Sequence, residues 1–137
     1  MQRRLPAEWE PQDAILLVWP HDQSDWLPFL DRINELYQKL VSTISKFEKV
    51  ILICKDSTLQ KEVQNNLVSA GAQIEQIDFY IAPTNDTWIR DFGPITIYQG
   101  SQLSCIDFQF NAWGSKYDST LDNQLTRSLF RQGLFRN

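Results

Sequence analysis

The stretch that decides the fold runs from residue 14 to residue 54: AILLVW, PHDQSD, WLPFLDRINELYQKLVSTISKFE, KVILIC. Its first six residues are continuously apolar, with β-branched and aromatic members, and Pro20 closes them; this pattern predicts a buried strand. Trp26, Leu30, Ile33, Tyr37, Leu40, Ile44 and Phe47 then recur at alternating spacings of four and three, which is one stripe of a long amphipathic helix. Asp25 is placed to cap that helix, and Pro28 falls in its first turn, where a missing N–H costs little. Residues 49–54 are a second apolar strand. Strand, helix, strand is the unit of a parallel sheet.

The rest of the chain continues the alternation. Ser57 and Gln60 have capping-box spacing, Leu59, Val63, Leu67 and Ala70 supply a helix face, and Gly71 suits its C′ position. Residues 74–82 read as a strand ended by Pro83. Residues 95–98 and 103–110 flank Gln99-Gly100-Ser101-Gln102, a hairpin pattern. Leu121, Leu125 and Leu129 mark a third helix over about 119–130. The fold class is α/β, and on the residues alone a small flavodoxin-like domain fits. Glycine-rich phosphate signatures are missing, so nucleotide binding has no support.

Composition narrows the function. The chain has 137 residues, 42% hydrophobic and 22% charged, with a net charge of −4, which fits one soluble domain. No basic run exists to follow a phosphate backbone, so nucleic acid is not an expected partner. No apolar run is long enough to cross a bilayer, and the N-terminal residues lack the pattern of a signal peptide, so no membrane role is expected and the expected location is cytoplasmic. Cys54 and Cys105 have no metal or redox spacing and fall in strand-like segments, where buried free thiols are expected. His21, the one histidine, reads as a loop or surface residue.

The most unusual segment is Asn85-Asp86-Thr87-Trp88-Ile89-Arg90-Asp91-Phe92-Gly93-Pro94. It sets two carboxylates, an arginine and a tryptophan between a strand end and a Gly-Pro breaker, where α/β folds place functional groups. A carboxylate such as Asp91 can accept two parallel N–H bonds from a guanidinium, and a tryptophan face attracts the same cation. Ordinary turn chemistry explains the same residue types, with Asp91 paired to an arginine.

Three motifs together carry a family resemblance. The opening Pro6-Ala7-Glu8-Trp9-Glu10-Pro11, with Val18-Trp19-Pro20-His21, resembles the start of agmatine deiminases of the peptidylarginine-deiminase-like family. The 85–94 segment is similar to that family's first active-site loop. Phe110-Asn111-Ala112-Trp113-Gly114-Ser115-Lys116-Tyr117 and then Leu121-Asp122-Asn123 continue the match. The resemblance implies a pentein-type α/β propeller, with about two of the five modules present, so that residues 1–137 form a single incomplete domain. It also implies conversion of agmatine and water to N-carbamoylputrescine and ammonia, with no metal and no cofactor. Asp91 aligns with the first guanidinium-binding carboxylate, expected at the mouth of a concavity. Trp88 would belong to the funnel wall, and Asp86 and Asn111 would make polar contacts to substrate. The family's catalytic histidine and cysteine lie in later segments with no counterpart here, so no catalytic residue is assigned and inactivity alone is expected. The alternatives are a non-catalytic guanidinium-binding or self-associating module, with exposed module faces, or part of another guanidine-modifying pentein.

Overall fold

A computed structural model describes residues 2–135. The decisive stretch forms β2 (Ala14–Val18), α1 (Leu30–Ile44) and β3 (Lys49–Cys54); α2 (Ser57–Ser69) then leads to β4 (Ile77–Ile81). The three strands pair in parallel in the order β2-β3-β4, with Leu16 opposite Ile51 and Ile51 opposite Asp78. Central β3 is covered on both faces, which is why its sequence is almost uninterrupted in apolar residues. Helices α1 and α2 cover one face, where Val41, Val63 and Leu67 pack on Trp19, Val50, Leu52, Cys54 and Ile77. On the other face Val18, Ile53 and Ala82 meet Phe92, Leu125 and Leu129. Those last residues belong to α3 (Ile89–Phe92) and α5 (Leu125–Arg131). The class is α/β, as the alternation predicts.

Several boundaries differ, each for a local reason. A 3-10 turn, Leu27–Phe29, precedes α1 and accommodates Pro28, so Asp25 does not cap the helix. Phe47 falls beyond the helix end and is 84% exposed. The cap of α2 is Asp56, whose carboxylate accepts from the Leu59 N–H at 2.8 Å, in place of Ser57. Gly71 has φ +74° just past that helix, the left-handed conformation in which glycine avoids a Cβ clash. The strand predicted over 74–82 opens instead with a 3-10 turn, Ile74–Gln76. The third helix is a 3-10 turn, Asp122–Gln124, running into α5.

The hairpin forms as β5 (Ile95–Gln99) and β6 (Gln102–Ile106), joined by Gly100 and Ser101. Strand β6 stops at Ile106, because Phe110 leaves the sheet to pack against the second core. A strand absent from the sequence reading, β1 (Arg3–Arg4), pairs antiparallel with β5, giving a sheet of order β1-β5-β6. The Arg4 guanidinium sits 4.3 Å from the centre of the Tyr98 ring and donates to both Glu10 carboxylate oxygens at 2.6 and 2.9 Å. That pairing holds the Glu10 carboxyl down to about 2. Cys54 is buried as expected, whereas Cys105, on edge strand β6, is exposed.

Candidate functional site: an acidic cleft at the carboxyl edge of the parallel sheet

Open parallel sheets gather ligands beyond the carboxyl ends of their strands. Here the chain leaving β2 and the chain leaving β4 face each other across that edge. His21, read from sequence as a loop or surface residue, is buried, with only 2% of its surface exposed. Its Nδ1 accepts the Gln23 N–H at 3.2 Å, so the neutral ring carries its proton on Nε2, which lies 3.3 Å from Thr84 Oγ1. Burial pushes its pKa down, and the Lys55 ammonium acts in the same direction. Lys55 itself pairs with Asp22 above the end of β3. Further along the same two loops, the Trp26 indole N–H donates to Thr87 Oγ1 at 2.8 Å, and the Trp26 and Trp88 rings lie 6.0 Å apart.

Asn85 and Asp122 interlock across 37 residues of sequence. The Asn85 and Asp86 N–H groups donate to Asp122 Oδ1 at 2.7 and 3.2 Å. In return the Leu121 and Asp122 N–H groups donate to Asn85 Oδ1 at 2.8 and 3.3 Å. Asn123 next door accepts from the Phe110 N–H at 2.8 Å and donates to the Phe110 and Ser119 carbonyls, each at 2.9 Å. These bonds fix both ends of the 110–118 segment. Within it, α4 (Ala112–Ser115) is a single turn of reversed hand: φ is +48° at Ala112, +53° at Trp113, +88° at Gly114 and +63° at Ser115. Left-handed geometry costs about 1–2 kcal/mol per non-glycine residue, so the surrounding bonds must hold it. Asn111 Oδ1 accepts the Gly114 N–H at 3.1 Å and helps to do so. The turn presents Trp113 edge-on between Phe110, 5.0 Å away, and Tyr117, 5.9 Å away.

Between these walls lies a cleft of about 180 Å³. Asp25, Asp86, Asp118 and Asp122 line it together with Phe110, Trp113 and Tyr117, and among the described residues no lysine or arginine does. Burial raises the pKa of Asp86, with Asp25 adding to the rise, and burial raises that of Asp122. Asp118 is held low, chiefly by the Thr120 hydroxyl that donates to it at 2.7 Å. Carboxylates crowded beside aromatic faces favour a bound cation, which relieves their mutual repulsion. A wider opening of about 650 Å³ shares Phe110, Tyr117 and Asp118 and takes in Asn111.

The residues singled out from sequence are dispersed over this edge. Asp86 lines the acidic cleft and Asn111 the wider opening, while Trp88 and Asp91 line neither. Trp88 is half exposed against Trp26. Asp91 projects into solvent from α3, with no side-chain hydrogen bond or ion pair among the described residues. Sequence reasoning took Asp25 only as a helix cap, did not single out Asp118, and took Asp122 only as part of a motif. Among the described residues no group of three or more His, Cys, Asp or Glu is arranged to hold a metal ion.

The model of the Porphyromonas-type peptidyl-arginine deiminase family matches residues 4–136. The chain belongs to this family. Among solved structures it resembles a Cys-to-Ser variant of C. jejuni agmatine deiminase with substrate bound, at 38% identity and a TM-score of 0.86. That match covers 97% of this chain and 38% of the other. The unsubstituted C. jejuni agmatine deiminase matches at 33% identity and a TM-score of 0.80, over 97% of this chain and 37% of that one. A protein of Legionella pneumophila (strain Paris), named as a candidate agmatine deiminase, is 33% identical over 93% of this chain and 36% of its own length. The chain therefore spans a little over a third of the length of these deiminase-family relatives. No helix among the described residues is long and apolar enough to cross a membrane.

Proposed function

We propose that this chain carries part of the substrate site of an agmatine-hydrolysing enzyme, one that converts agmatine and water to N-carbamoylputrescine and ammonia in the cytoplasm. The observation that carries the reading is the acidic, aromatic-walled cleft, lined by no lysine or arginine among the described residues and framed by family motifs. Agmatine bears a guanidinium and an ammonium on an apolar linker, so it needs separated carboxylates with apolar surface between them. Asp91, exposed and free of partners among the described residues, is the proposed guanidinium clamp, with Trp88 as wall. Asp86 and Asn111 supply further polar contacts.

The nucleophile and the proton-transfer group are proposed to come from residues outside these 137. The Cys54 thiol is buried and pushed up to about 12, so it does not form a thiolate. Cys105 stands on an edge strand, where Thr96 Oγ1, 3.8 Å from its sulfur, is not a base. His21 is committed to its two loop contacts. In this reading residues 1–137 are one incomplete domain, about two of five pentein propeller modules: the parallel sheet with the helices packed on it, α5 included, and the hairpin sheet. The chemistry assigned to the site, a thiolate attacking a clamped guanidinium, calls for no metal or organic cofactor.

The test is an agmatine titration followed by NMR, run beside an ammonia-release assay. Expected are shifts at Asp86, Trp88, Asp91 and Trp113 at about millimolar agmatine, since one exposed carboxylate–guanidinium pair contributes only about 0–1 kcal/mol. No ammonia should appear. Turnover lost in Cys105→Ser would overturn the assignment, as would the absence of any shift at tens of millimolar agmatine. A second reading, a self-associating module, is favoured by the exposed Ile95, Leu103 and Phe108 around the hairpin sheet. Sedimentation over a range of concentrations decides it.

A further inference from the structure

We infer that His21 is a positioning residue, a neutral latch that sets the distance between the two acid-bearing loops of the cleft. The inference rests on the reading of that cleft as a cation site. Among the described residues two side-chain hydrogen bonds join the loop after β2 to the loop after β4: His21 Nε2 to Thr84 Oγ1 at 3.3 Å, and the Trp26 indole to Thr87 Oγ1 at 2.8 Å where the Trp26 and Trp88 rings also meet. Between these two points each loop bears cleft-lining residues, Gln23, Ser24 and Asp25 on one side and Asn85 and Asp86 on the other. The latch is therefore one end of the frame that holds the Asp25 and Asp86 carboxylates apart.

The imidazole suits this task because each nitrogen serves a different loop. Nδ1 accepts the Gln23 N–H within its own loop, and the His21 carbonyl accepts from the Ser24 hydroxyl at 2.7 Å and the Ser24 N–H at 3.2 Å. Ser24 Oγ in turn accepts from the Trp26 N–H at 3.4 Å, so the loop is braced from one latch to the other. Nε2 alone crosses to β4's exit. Protonation would take away the Nδ1 acceptor, and the charged groups around the ring are Lys55, which opposes a second positive charge, and Asp22 and Asp56, which favour it. A buried ring held neutral keeps both contacts.

Two side-chain amides separate these roles. In His21→Asn the amide reaches the Nδ1 position and keeps the Gln23 contact, but it leaves Thr84 without its partner. In His21→Gln the amide reaches the Nε2 position and restores the bridge. Thr84→Val breaks the bridge from the opposite loop without touching His21. Amide exchange at Gln23, Ser24, Asn85 and Asp86 reads the latch without ligand, and agmatine titration reads its consequence. Expected are faster exchange on both loops and agmatine binding weakened about tenfold in His21→Asn and Thr84→Val, as for one lost buried hydrogen bond. His21→Gln should stay within about twofold of the parent. Equal weakening in the two His21 variants, tracking their melting temperatures, would overturn the inference. So would unchanged loop exchange in His21→Asn and Thr84→Val. If the parent chain binds no agmatine, the cation-site reading fails, and the exchange data alone decide the latch.

Discussion

Replacing Asp122 by alanine tests the interlock on which the cleft is built. Asp122 is 1% exposed, and its Oδ1 is the acceptor for the N–H groups of Asn85 and Asp86, at 2.7 and 3.2 Å. Asp122→Ala leaves both donors without a partner. Each stranded buried donor costs about 1–3 kcal/mol, and these two lie in a part-buried segment, so the lower half of the range applies and the sum is about 3 kcal/mol. At about 2.1 cal/mol/K of unfolding entropy per residue, a chain of this length melts about 10 °C lower. Asp122→Asn keeps an oxygen in place and removes repulsion from Asp86 and Asp118, so it should stay within about 1 kcal/mol of the parent. The pH dependence has a definite sign. Burial raises the Asp122 pKa, so the native chain binds more protons than the unfolded chain across the carboxylate range. The stability this group contributes is full below the ordinary carboxylate value and is lost as pH rises through the raised one. Urea melts of both proteins from about pH 3 to pH 7 should show the parent's margin over Asp122→Asn falling as pH rises. An Asp122→Asn variant as damaged as Asp122→Ala, or a margin that grows with pH, would refute the interlock as described.

Three further outcomes are expected. A thiol reagent should label Cys105 quickly in the native chain and Cys54 only on unfolding, since one is exposed and the other buried with its thiol pushed up to about 12; timed labelling with mass spectrometry checks both. Leu52→Ala, at a fully buried position in the central strand, should lose about 3 kcal/mol in urea denaturation, the usual cost of a cavity in a packed core. Asp91→Ala should leave stability within about 0.5 kcal/mol, because its exposed carboxylate has no side-chain partner among the described residues. It should also abolish the agmatine-induced shift at Trp88, which NMR titration of the variant reads directly.

The parts of the fold legible in the sequence are those governed by period and burial. KVILIC reads as a buried strand because neighbours cover it on both faces. AILLVW reads as a strand but lies half-buried at the sheet edge until Val18, and α1 and α2 read as helices because their sequences obey the helical period. What was not legible depends on partners distant in sequence. Arg3 and Arg4 carry no strand pattern, and they become a strand only because the free edge of β5 accepts them. His21 looks like a polar loop residue until Gln23 and Thr84 satisfy both ring nitrogens, which permits its burial. The site behaves in the same way. The 85–94 segment stood out by composition, yet the cleft needs Asp118 and Asp122 from beyond the hairpin and Asp25 from beside α1. The Leu121-Asp122-Asn123 motif held a signal, but only the fold shows that its asparagine and aspartate hold loops. The reversed turn at α4 had no sequence signature beyond Gly114, since alanine, tryptophan and serine seldom adopt that hand.

The pairing of β1 with β5 has a consequence for the order of assembly. Arg3 lies opposite Gln99, and Arg4 opposite Tyr98, so this ladder joins residues separated by most of the chain. The β5–β6 hairpin needs only a two-residue loop and closes on the fastest timescale available to strands. The β1 pairing must wait for that edge, and it carries the largest loop-closure entropy among the chain's strand pairs. In refolding, therefore, β1 is the last of these strands to find its place. Until β5 and β6 have paired, Arg3 and Arg4 have no edge to join, and this pair of arginines stays open to proteases and to any acidic partner.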